Sequence, residues 1–256
     1  MSDKEASAKS IIALKRIFET RGLRGIWFHL LNIYFDVIRG IDTVDRYQNK
    51  DINNFYATST QSSIKKSLEY TIKCFIDSDH SKQFNFIELG AGKGKVIIIL
   101  KDLLKNHLNV NVDIIAIELD KYLCKILTNN LLKSGFSLDV ENKLNFNRNS
   151  NSSIKIKAEV FPYDIEGNKF KEIMNTLIPN RCNIFYCLDA LPKRILFNTM
   201  EEIIKIKSSD SKQRNLLIYA NPRFLDDLLL EFRDAVSLLT MHSGAPQESY
   251  AVLDIK

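Results

Sequence analysis

Phe86-Ile-Glu-Leu-Gly-Ala-Gly-Lys-Gly94 is the stretch of sequence that places this chain in a fold class. It begins as an apolar run that contains Glu88, continues with glycines at alternate positions, and leads into a second apolar run from Val96. This order predicts a buried strand, a tight turn and a helix. Glycines adopt backbone angles closed to other residues and let the main chain approach a ligand closely. The stretch therefore predicts a ligand-binding loop at the carboxyl end of a strand.

The spacing of the glycines separates the candidate ligands. A phosphate-binding P-loop needs a glycine, four residues and then Gly-Lys-Ser/Thr. Here Leu89 stands at the first glycine position, and Gly94-Lys95 is followed by Val96. The dinucleotide pattern G-x-G-x-x-G also fails, because its third glycine position holds Lys95. The spacing therefore disfavours ATP, GTP and dinucleotides.

The pattern that remains, E-x-G-x-G-x-G over residues 88–94, resembles motif I of the class I, Rossmann-like S-adenosylmethionine-dependent methyltransferases. The resemblance implies S-adenosylmethionine as the cofactor. It also implies that Glu88 and the loop residues Gly90, Ala91, Gly92 and Gly94 hold the methionine part of that cofactor. The alternative is a glycine-rich turn between a strand and a helix that binds no ligand.

A second acid follows the next predicted strand. Residues 112–119 form a mostly apolar run that ends in Glu118 and Leu119, as expected for a parallel strand buried on both faces. Glu118 lies about 24 residues beyond Gly94, close to the roughly 20-residue spacing at which an acid reaches ribose hydroxyls. We predict that Glu118 binds the ribose, and we include Leu119 in the cofactor site. Asp120 is the competing candidate, and a solvent-exposed turn acid is the non-functional alternative.

Two later acids also follow predicted strands. Asp164 follows the third strand, and the resemblance implies that it meets the adenine amino group, with Ile165 beside it. A plain loop aspartate is the alternative there. Asp189 follows residues 182–188, where the family keeps its substrate-facing motif, so Asp189 is our candidate catalytic residue. The chain lacks the prolines and the aromatic residue of the Asn/Asp-Pro-Pro-Tyr/Phe motif that some amino-group methyltransferases carry at this place.

Strands and helices alternate along most of the chain, which predicts a parallel sheet with right-handed crossovers and helices on both faces. With the resemblance, the expected α/β fold is a seven-stranded, mostly parallel, doubly wound sheet whose last strand is antiparallel. We expect an N-terminal helical extension or lid over residues 1–80 and a Rossmann-like methyltransferase domain over residues 81–256. The predicted strands are 84–89, 112–118, 154–161, 182–188, 215–220, 235–241 and 250–255, and the predicted helices are 95–107, 120–134, 166–178, 192–207 and 223–234.

The N-terminal region carries a second resemblance. An aromatic helix candidate over residues 27–38 overlaps an F-D-x-x-x-G-x-D-T pattern over residues 35–43, and Tyr56-Ala-Thr58 follows. This series resembles the N-terminal segment of little-characterised bacterial methyltransferase-domain proteins. The segment would fold over the cofactor pocket there, so Tyr56 and Thr58 are candidate lid contacts. The aromatic helix is expected to pack on the domain, and the alternative is an amphipathic anchor on a membrane surface.

The composition is that of a globular protein, with 256 residues, 45% hydrophobic and 26% charged. No apolar stretch approaches the roughly 20 residues of a membrane span, and the start lacks the apolar core of a signal peptide, so we expect a cytoplasmic location. The four cysteines have no metal-ligand spacing, and we expect no metal site. The net charge of +5 is spread along the chain, which disfavours a nucleic-acid partner. Residues 141–153 are rich in Asn and Ser and are predicted to form a loop.

The function that these patterns predict is methyl transfer from S-adenosylmethionine to an unidentified nitrogen or oxygen nucleophile of a protein side chain or a small molecule. Asp189 would orient that acceptor. Three alternatives remain open: a non-catalytic binding or scaffold subunit that keeps the fold, a nucleic-acid methyltransferase, and a nucleotide-dependent oxidoreductase, which the glycine spacing disfavours. The sequence predicts neither the identity of the methyl acceptor nor the oligomeric state.

Overall fold

A computed structural model describes residues 3–43, 60–76, 83–105, 110–138, 144–147, 155–162, 165, 168–175, 177, 181–188, 191–205, 214–244 and 248–256. Within these ranges the chain forms nine strands and seven helices. The strands are β1 (Gln83–Leu89), β2 (Asn111–Ile117), β3 (Ser137–Leu138), β4 (Leu144–Asn147), β5 (Lys155–Phe161), β6 (Cys182–Leu188), β7 (Asn215–Ala220), β8 (Val236–His242) and β9 (Tyr250–Ile255). The helices are α1 (Asp3–Arg39), α2 (Gln61–Ile76), α3 (Lys95–Leu104), α4 (Lys121–Lys133), α5 (Asn168–Asn175), α6 (Lys193–Ile204) and α7 (Leu225–Glu231).

All nine strands belong to one sheet, in the order β3-β4-β5-β2-β1-β6-β7-β9-β8. Strands β5, β2, β1, β6 and β7 are parallel, β9 is antiparallel to β7, and β8 is antiparallel to β9. Parallel strands lie on both sides of β1 in the sheet. Because they run in the same direction, their carboxyl ends meet at one edge. Doubly wound sheets bind their ligands at this edge. The structure confirms the predicted α/β fold with a mostly parallel sheet and an antiparallel end.

The sheet has two more strands than the seven that we predicted. Strands β3 and β4 pair antiparallel, and β4 also pairs antiparallel with β5. Strand β4 lies inside residues 141–153, so the prediction of a loop is wrong for residues 144–147. Leu144 is buried in the core, and the rings of Phe146 and Phe136 lie 5.8 Å apart. Two apolar residues at alternate positions are too short a pattern to predict a strand among asparagines and serines.

Helices cover both faces of the sheet, and each face has its own hydrophobic cluster. Phe86 of β1 packs in the cluster that contains residues of α2, α3 and α4. Its neighbour Ile87 packs in the cluster that contains residues of α5, α6 and α7. Because the central strands are largely buried, they read as mostly apolar runs in the sequence. The division of the chain at residue 80 stays a prediction.

Helix α1 bends at Gly22, where φ 62° and ψ −161° interrupt the helical backbone. Its second half packs against the sheet domain through Phe35 and Asp36, which are both buried. Within the described residues, no helix is both long and apolar enough to cross a membrane. The side of α1 that faces away from the sheet domain exposes large apolar residues at a 4-3-4-3 spacing: Leu23, Trp27, Leu30, Tyr34 and Val37.

Three buried asparagines lie side by side near the amino ends of the central strands. Asn85 of β1 is in register with Asn183 of β6, which is in register with Asn215 of β7. Asn85 Nδ2 donates to Asn183 Oδ1, and Asn183 Nδ2 donates to Asn215 Oδ1, each over 2.8 Å. A shift of either pairing by one residue would leave these amides buried without partners. We call this row the asparagine ladder, and it fixes the register of three parallel strands.

Candidate functional site

Glu88 is the next-to-last residue of β1, at the edge where parallel sheets bind ligands. Its side chain is buried, with the residue 3% exposed, and its Oε2 has no hydrogen-bond partner among the described residues. Burial, and next the nearby Glu118 carboxylate, raise the pKa of Glu88 well above its ordinary value. A buried carboxylate without a donor is costly. Glu88 therefore offers a strong acceptor to a cationic group at this edge.

The glycine loop after β1 needs its glycines for its backbone shape. Gly90, Gly92 and Gly94 have φ values of 77°, 54° and 82°, in the left-handed region that favours glycine. The amides of Gly90 and Ala91 both donate to the carbonyl of Ile117 over 2.9 Å, which joins the loop to the end of β2. A Cβ at Gly90 would meet no atom of the described part of the chain within 4 Å, so one side of the loop is open with respect to these residues. A ligand can approach the main chain from that side.

Glu118 connects the glycine loop to the turn after β2. Its Oε2 accepts from the Gly92 amide over 2.8 Å, and its Oε1 accepts from the Asp120 amide over 2.9 Å. Burial raises the pKa of Glu118, while these two amide hydrogen bonds act in the opposite direction. Each carboxylate oxygen can accept a further hydrogen bond. The side chain therefore supports the loop and keeps the capacity to accept from ligand hydroxyls.

The second acid considered for the ribose, Asp120, has contacts of its own at the start of α4. Asp120 is the N-cap of α4, because its side chain accepts from the amides of Tyr122 and Leu123 over 2.7 and 3.3 Å. Leu119 lies between the two acids and is 44% exposed. Both acids therefore accept from backbone amides, and the assignment of the ribose to Glu118 stays a prediction.

Of the predicted site residues that remain, the structure describes Ile165. Ile165 is partly buried and packs against the cluster that contains Ile87. Tyr56, Thr58, Asp164 and Asp189 lie outside the described residues, so their roles stay predictions. In the part of the chain that the structure describes, no group of three His, Cys, Asp or Glu residues could hold a metal ion.

Two residues that we did not single out from the sequence, Lys93 and Asn130, support the glycine loop in addition to Glu118. Lys93 is 2% exposed, and its Nζ lies 2.9 Å from both carboxylate oxygens of Asp42. Asn130 of α4, 1% exposed, donates from Nδ2 to the carbonyls of Asp42 and Lys93 over 2.7 and 3.0 Å, and its Oδ1 accepts from the Asp42 amide. The position of Lys93 between two glycines of the loop could have marked it as a candidate in the sequence. The sequence holds no comparable signal for Asn130.

The F-D-x-x-x-G-x-D-T pattern has a structural explanation at its two ends. The Asp36 carboxylate accepts from the amide and from the hydroxyl of Thr43, each over 2.6 Å, and the Asp36 carbonyl accepts from the Ile41 amide. Gly40 turns the chain with a φ of 62°. Residues 36–43 therefore form a closed turn, which places Asp42 against the glycine loop.

Two further contacts join α1 to α3, the helix that follows the loop. Lys95 Nζ donates to Asn32 Oδ1 over 2.7 Å, and burial lowers the pKa of Lys95 to about 8. About two turns farther along α3, Asp102 accepts from Arg39 over 2.9 Å. The second half of α1 is thus attached to the site region along the length of α3.

The comparisons with known proteins agree with this geometry. No protein-family model matches the chain, and no curated protein is similar enough in sequence to count as a relative. Two structures of the METTL16 MTase domain superpose with TM-scores of 0.55 and 0.51 at 12% and 14% identity, and each comparison covers 92% of this chain and 79% of that chain. The N-terminal domain of human METTL16 in complex with SAH has a TM-score of 0.50 at 12% identity, over 87% of this chain and 78% of that chain. At such low identity the likeness concerns the fold. The chain has the fold of the class I S-adenosylmethionine-dependent methyltransferases, the fold that its glycine loop predicts.

Proposed function

We propose that this chain is an S-adenosylmethionine-dependent methyltransferase that transfers a methyl group to a nitrogen or oxygen nucleophile of a protein side chain or a small molecule. The observation that carries the proposal is Glu88: a buried carboxylate oxygen that has no donor among the described residues, beside a glycine loop with space at Gly90. A fold maintained only as a scaffold would gain nothing from this costly group. A cationic amino group of a ligand would give it the missing donor.

The residues at the sheet edge fit the parts of S-adenosylmethionine. Glu88 would accept from the amino group of the methionine part, and the glycine loop would lie along that part. Glu118 would accept from the ribose hydroxyls with its remaining lone pairs. The exposed side chain of Leu119, and Ile165, which follows Asp164 in the sequence, would line the adenine, and we assign Asp164 to its amino group. Tyr56 and Thr58 complete the proposed site as contacts from the N-terminal region.

The cofactor, when bound, supplies a methyl group that its sulfonium already activates. The chain therefore has to bind, to orient the acceptor in line with the methyl group, and to remove a proton that the product does not keep. We assign the acceptor side to Asp189, because it directly follows β6 in the sequence and β6 runs parallel to β1, which carries Glu88. A cytoplasmic location stays a prediction from the sequence.

Calorimetric titration of the purified chain with S-adenosylhomocysteine tests the cofactor. We expect micromolar binding of this ligand and no binding of NAD or ATP, which serve as controls because the glycine spacing disfavours them. A folded chain that binds NAD or ATP instead, or that binds none of the three, would overturn the proposal.

Turnover distinguishes the enzyme from a binding subunit. The chain is incubated with S-adenosylmethionine that carries a radioactive methyl group and with separate protein, small-molecule and nucleic-acid fractions. We expect label in the protein or small-molecule fraction, and Asp189→Asn should reduce it while S-adenosylhomocysteine affinity is kept. Binding without label in any fraction would favour the scaffold alternative, and label in nucleic acid alone would correct the acceptor.

A further inference from the structure

Three segments that are distant in the sequence meet at the peptide of Lys93. One is the glycine loop, the second is the turn over residues 36–43, and the third is α4 through Asn130. Lys93 lies between Gly92 and Gly94, which both have left-handed φ values. Glycine has the largest conformational freedom of any residue, so a loop with three glycines keeps one shape only if its neighbours hold it.

The Lys93 side chain is held by charge. Its ammonium is buried, whereas the Asp42 side chain is 45% exposed, and the two lie within hydrogen-bond distance at both carboxylate oxygens. Charge-assisted hydrogen bonds of this kind are stronger than neutral ones. Removal of the aspartate charge would leave a buried cation without its carboxylate, which is the costly way to break a buried pair.

The Lys93 main chain is held by Asn130. The amide nitrogen of Asn130 donates to the Lys93 carbonyl and to the Asp42 carbonyl, while the amide oxygen accepts from the Asp42 nitrogen. One buried side chain therefore fixes the loop and the N-terminal turn at the same time. Glu118 holds the Gly92 amide from the side of β2. The loop is thus supported from two sides, and the N-terminal turn supplies one of them.

We infer that Asp42 is a positioning residue that keeps the glycine loop in its ligand-binding shape, acting through Lys93. The N-terminal turn over residues 36–43 is then a structural part of the cofactor loop, and this is a different task from that of a lid. A loop shaped before the ligand arrives binds more tightly, because less conformational freedom is lost on binding. The ligand-binding part of this inference rests on the proposed function, whereas the effect on the loop itself does not.

Hydrogen exchange of the ligand-free chain tests the effect on the loop. The amides of Gly90, Ala91, Gly92 and Gly94 are all hydrogen-bonded, so their exchange is slow enough to follow. Asp42→Asn should accelerate exchange in residues 90–94 and leave the asparagine ladder strands unchanged. Asp102→Asn is the matched control, because it breaks the ion pair of Asp102 in α3 with Arg39 of α1, and its pairs with Lys101 and Lys105, none of which lies in the loop. Unchanged exchange in residues 90–94, or equal acceleration by Asp102→Asn, would overturn the inference.

Titration with S-adenosylhomocysteine tests the consequence for the ligand. Asp42→Asn should weaken binding by about tenfold or more, a coupling typical of residues within one network. Asp102→Asn should change the affinity less than about twofold, even if it lowers the melting temperature as much as Asp42→Asn does. If the wild-type chain does not bind this ligand, the proposed function fails, and the exchange experiment still decides whether Asp42 positions the loop.

A second pair of variants shows whether Asp42 acts through Lys93. Lys93→Met removes the buried cation with a side chain of similar length, and therefore removes the same ion pair that Asp42→Asn breaks from the other side. In the Lys93→Met background, Asp42→Asn should cause no further loss of affinity. A further loss of the same size as in the wild-type background would mean that Asp42 touches the ligand or acts by another route, and would contradict the inference.

Discussion

The carboxyl group of Glu88 is buried at the end of β1, and the same burial that makes it a strong acceptor makes it costly to the fold. Its pKa in the folded chain lies well above the ordinary value of 4.5. Between these two pKa values the folded chain binds a proton that the unfolded chain has lost, so the free energy of unfolding falls as the pH rises. Above the raised pKa the fold contains a buried, ionised group.

Glu88→Gln should consequently improve folding and impair binding. At neutral pH the ligand-free variant should melt at a higher temperature than the wild type, because the amide carries no charge. Its affinity for S-adenosylhomocysteine should fall by about 10- to 100-fold, the loss expected when a hydrogen bond to a charged group disappears. Thermal denaturation between about pH 5 and 8 and calorimetric titration measure the two effects.

Glu201→Gln, on the exposed side of α6, is the control and should change neither quantity. A Glu88→Gln variant that melts at a lower temperature and binds as well as the wild type would show that Glu88 serves the fold and not a ligand.

Local patterns made the glycine loop and its two acids predictable, since strand, glycines and carboxylates lie within a few dozen residues. Asn130 could not be predicted in this way. Its contacts are with Asp42 and Lys93, which are 88 and 37 positions away in the sequence. A role that exists only after three distant segments have packed together leaves no periodic or spaced pattern in one sequence.

At the scale of strands and helices, the asparagine ladder replaces apolar packing with paired amides between β1, β6 and β7. Asn183 is the central member, because it both accepts from Asn85 and donates to Asn215. The ladder joins three neighbouring strands of the sheet, of which β6 and β7 are also consecutive in the chain, whereas β1 and β6 are far apart in it. It therefore contributes to the choice of register as well as to stability.

Asn183→Leu should lower the free energy of unfolding by about 2–5 kcal/mol, because it leaves one donor and one acceptor buried without partners. Replacement of Asn85, Asn183 and Asn215 together by leucine should cost less than the single change, since no unpaired polar group then remains. Urea unfolding of the wild type, the single variant and the triple variant measures this order. A triple variant less stable than the single one would mean that the three amides stabilise the sheet individually.

The elements that could be predicted were the long ones with a strong pattern. The central parallel strands are largely buried and mostly apolar, which is why β1, β2, β6 and β7 match the predicted ranges closely. Strand β4 could not be predicted, because its four residues contain only two apolar side chains and its partner β5 lies beyond a polar stretch.

For the molecule as a whole, the distribution of apolar surface is uneven. The two clusters on either side of the sheet are buried, whereas the outer side of α1 is apolar and exposed. Trp27, the single tryptophan of the chain, lies on that side and is 61% exposed. Its fluorescence therefore reports the environment of this surface without interference from another indole.

The emission of Trp27 should lie at long wavelength, as for a hydrated indole, and acrylamide should quench it almost as efficiently as free tryptophan. Trp27→Phe should abolish the signal, which confirms its source. An emission shifted to short wavelength and protected from acrylamide would contradict the exposed position. If the shift then depended on protein concentration, a second copy of the chain would be covering the helix. If it depended on added lipid vesicles, a membrane would be covering it.

The position of β9 has a consequence for synthesis on the ribosome. Although β9 follows β8 in the sequence, it lies between β7 and β8 in the sheet, and β9 is the strand with which β8 pairs. Until residues 250–255 have emerged, the nascent chain exposes the outer edge of β7 and the whole of β8. Unpaired strand edges of this kind associate with other chains. A nascent chain that stops just before β9 should therefore aggregate and become a substrate for chaperones, although most of its helices and strands have already been made.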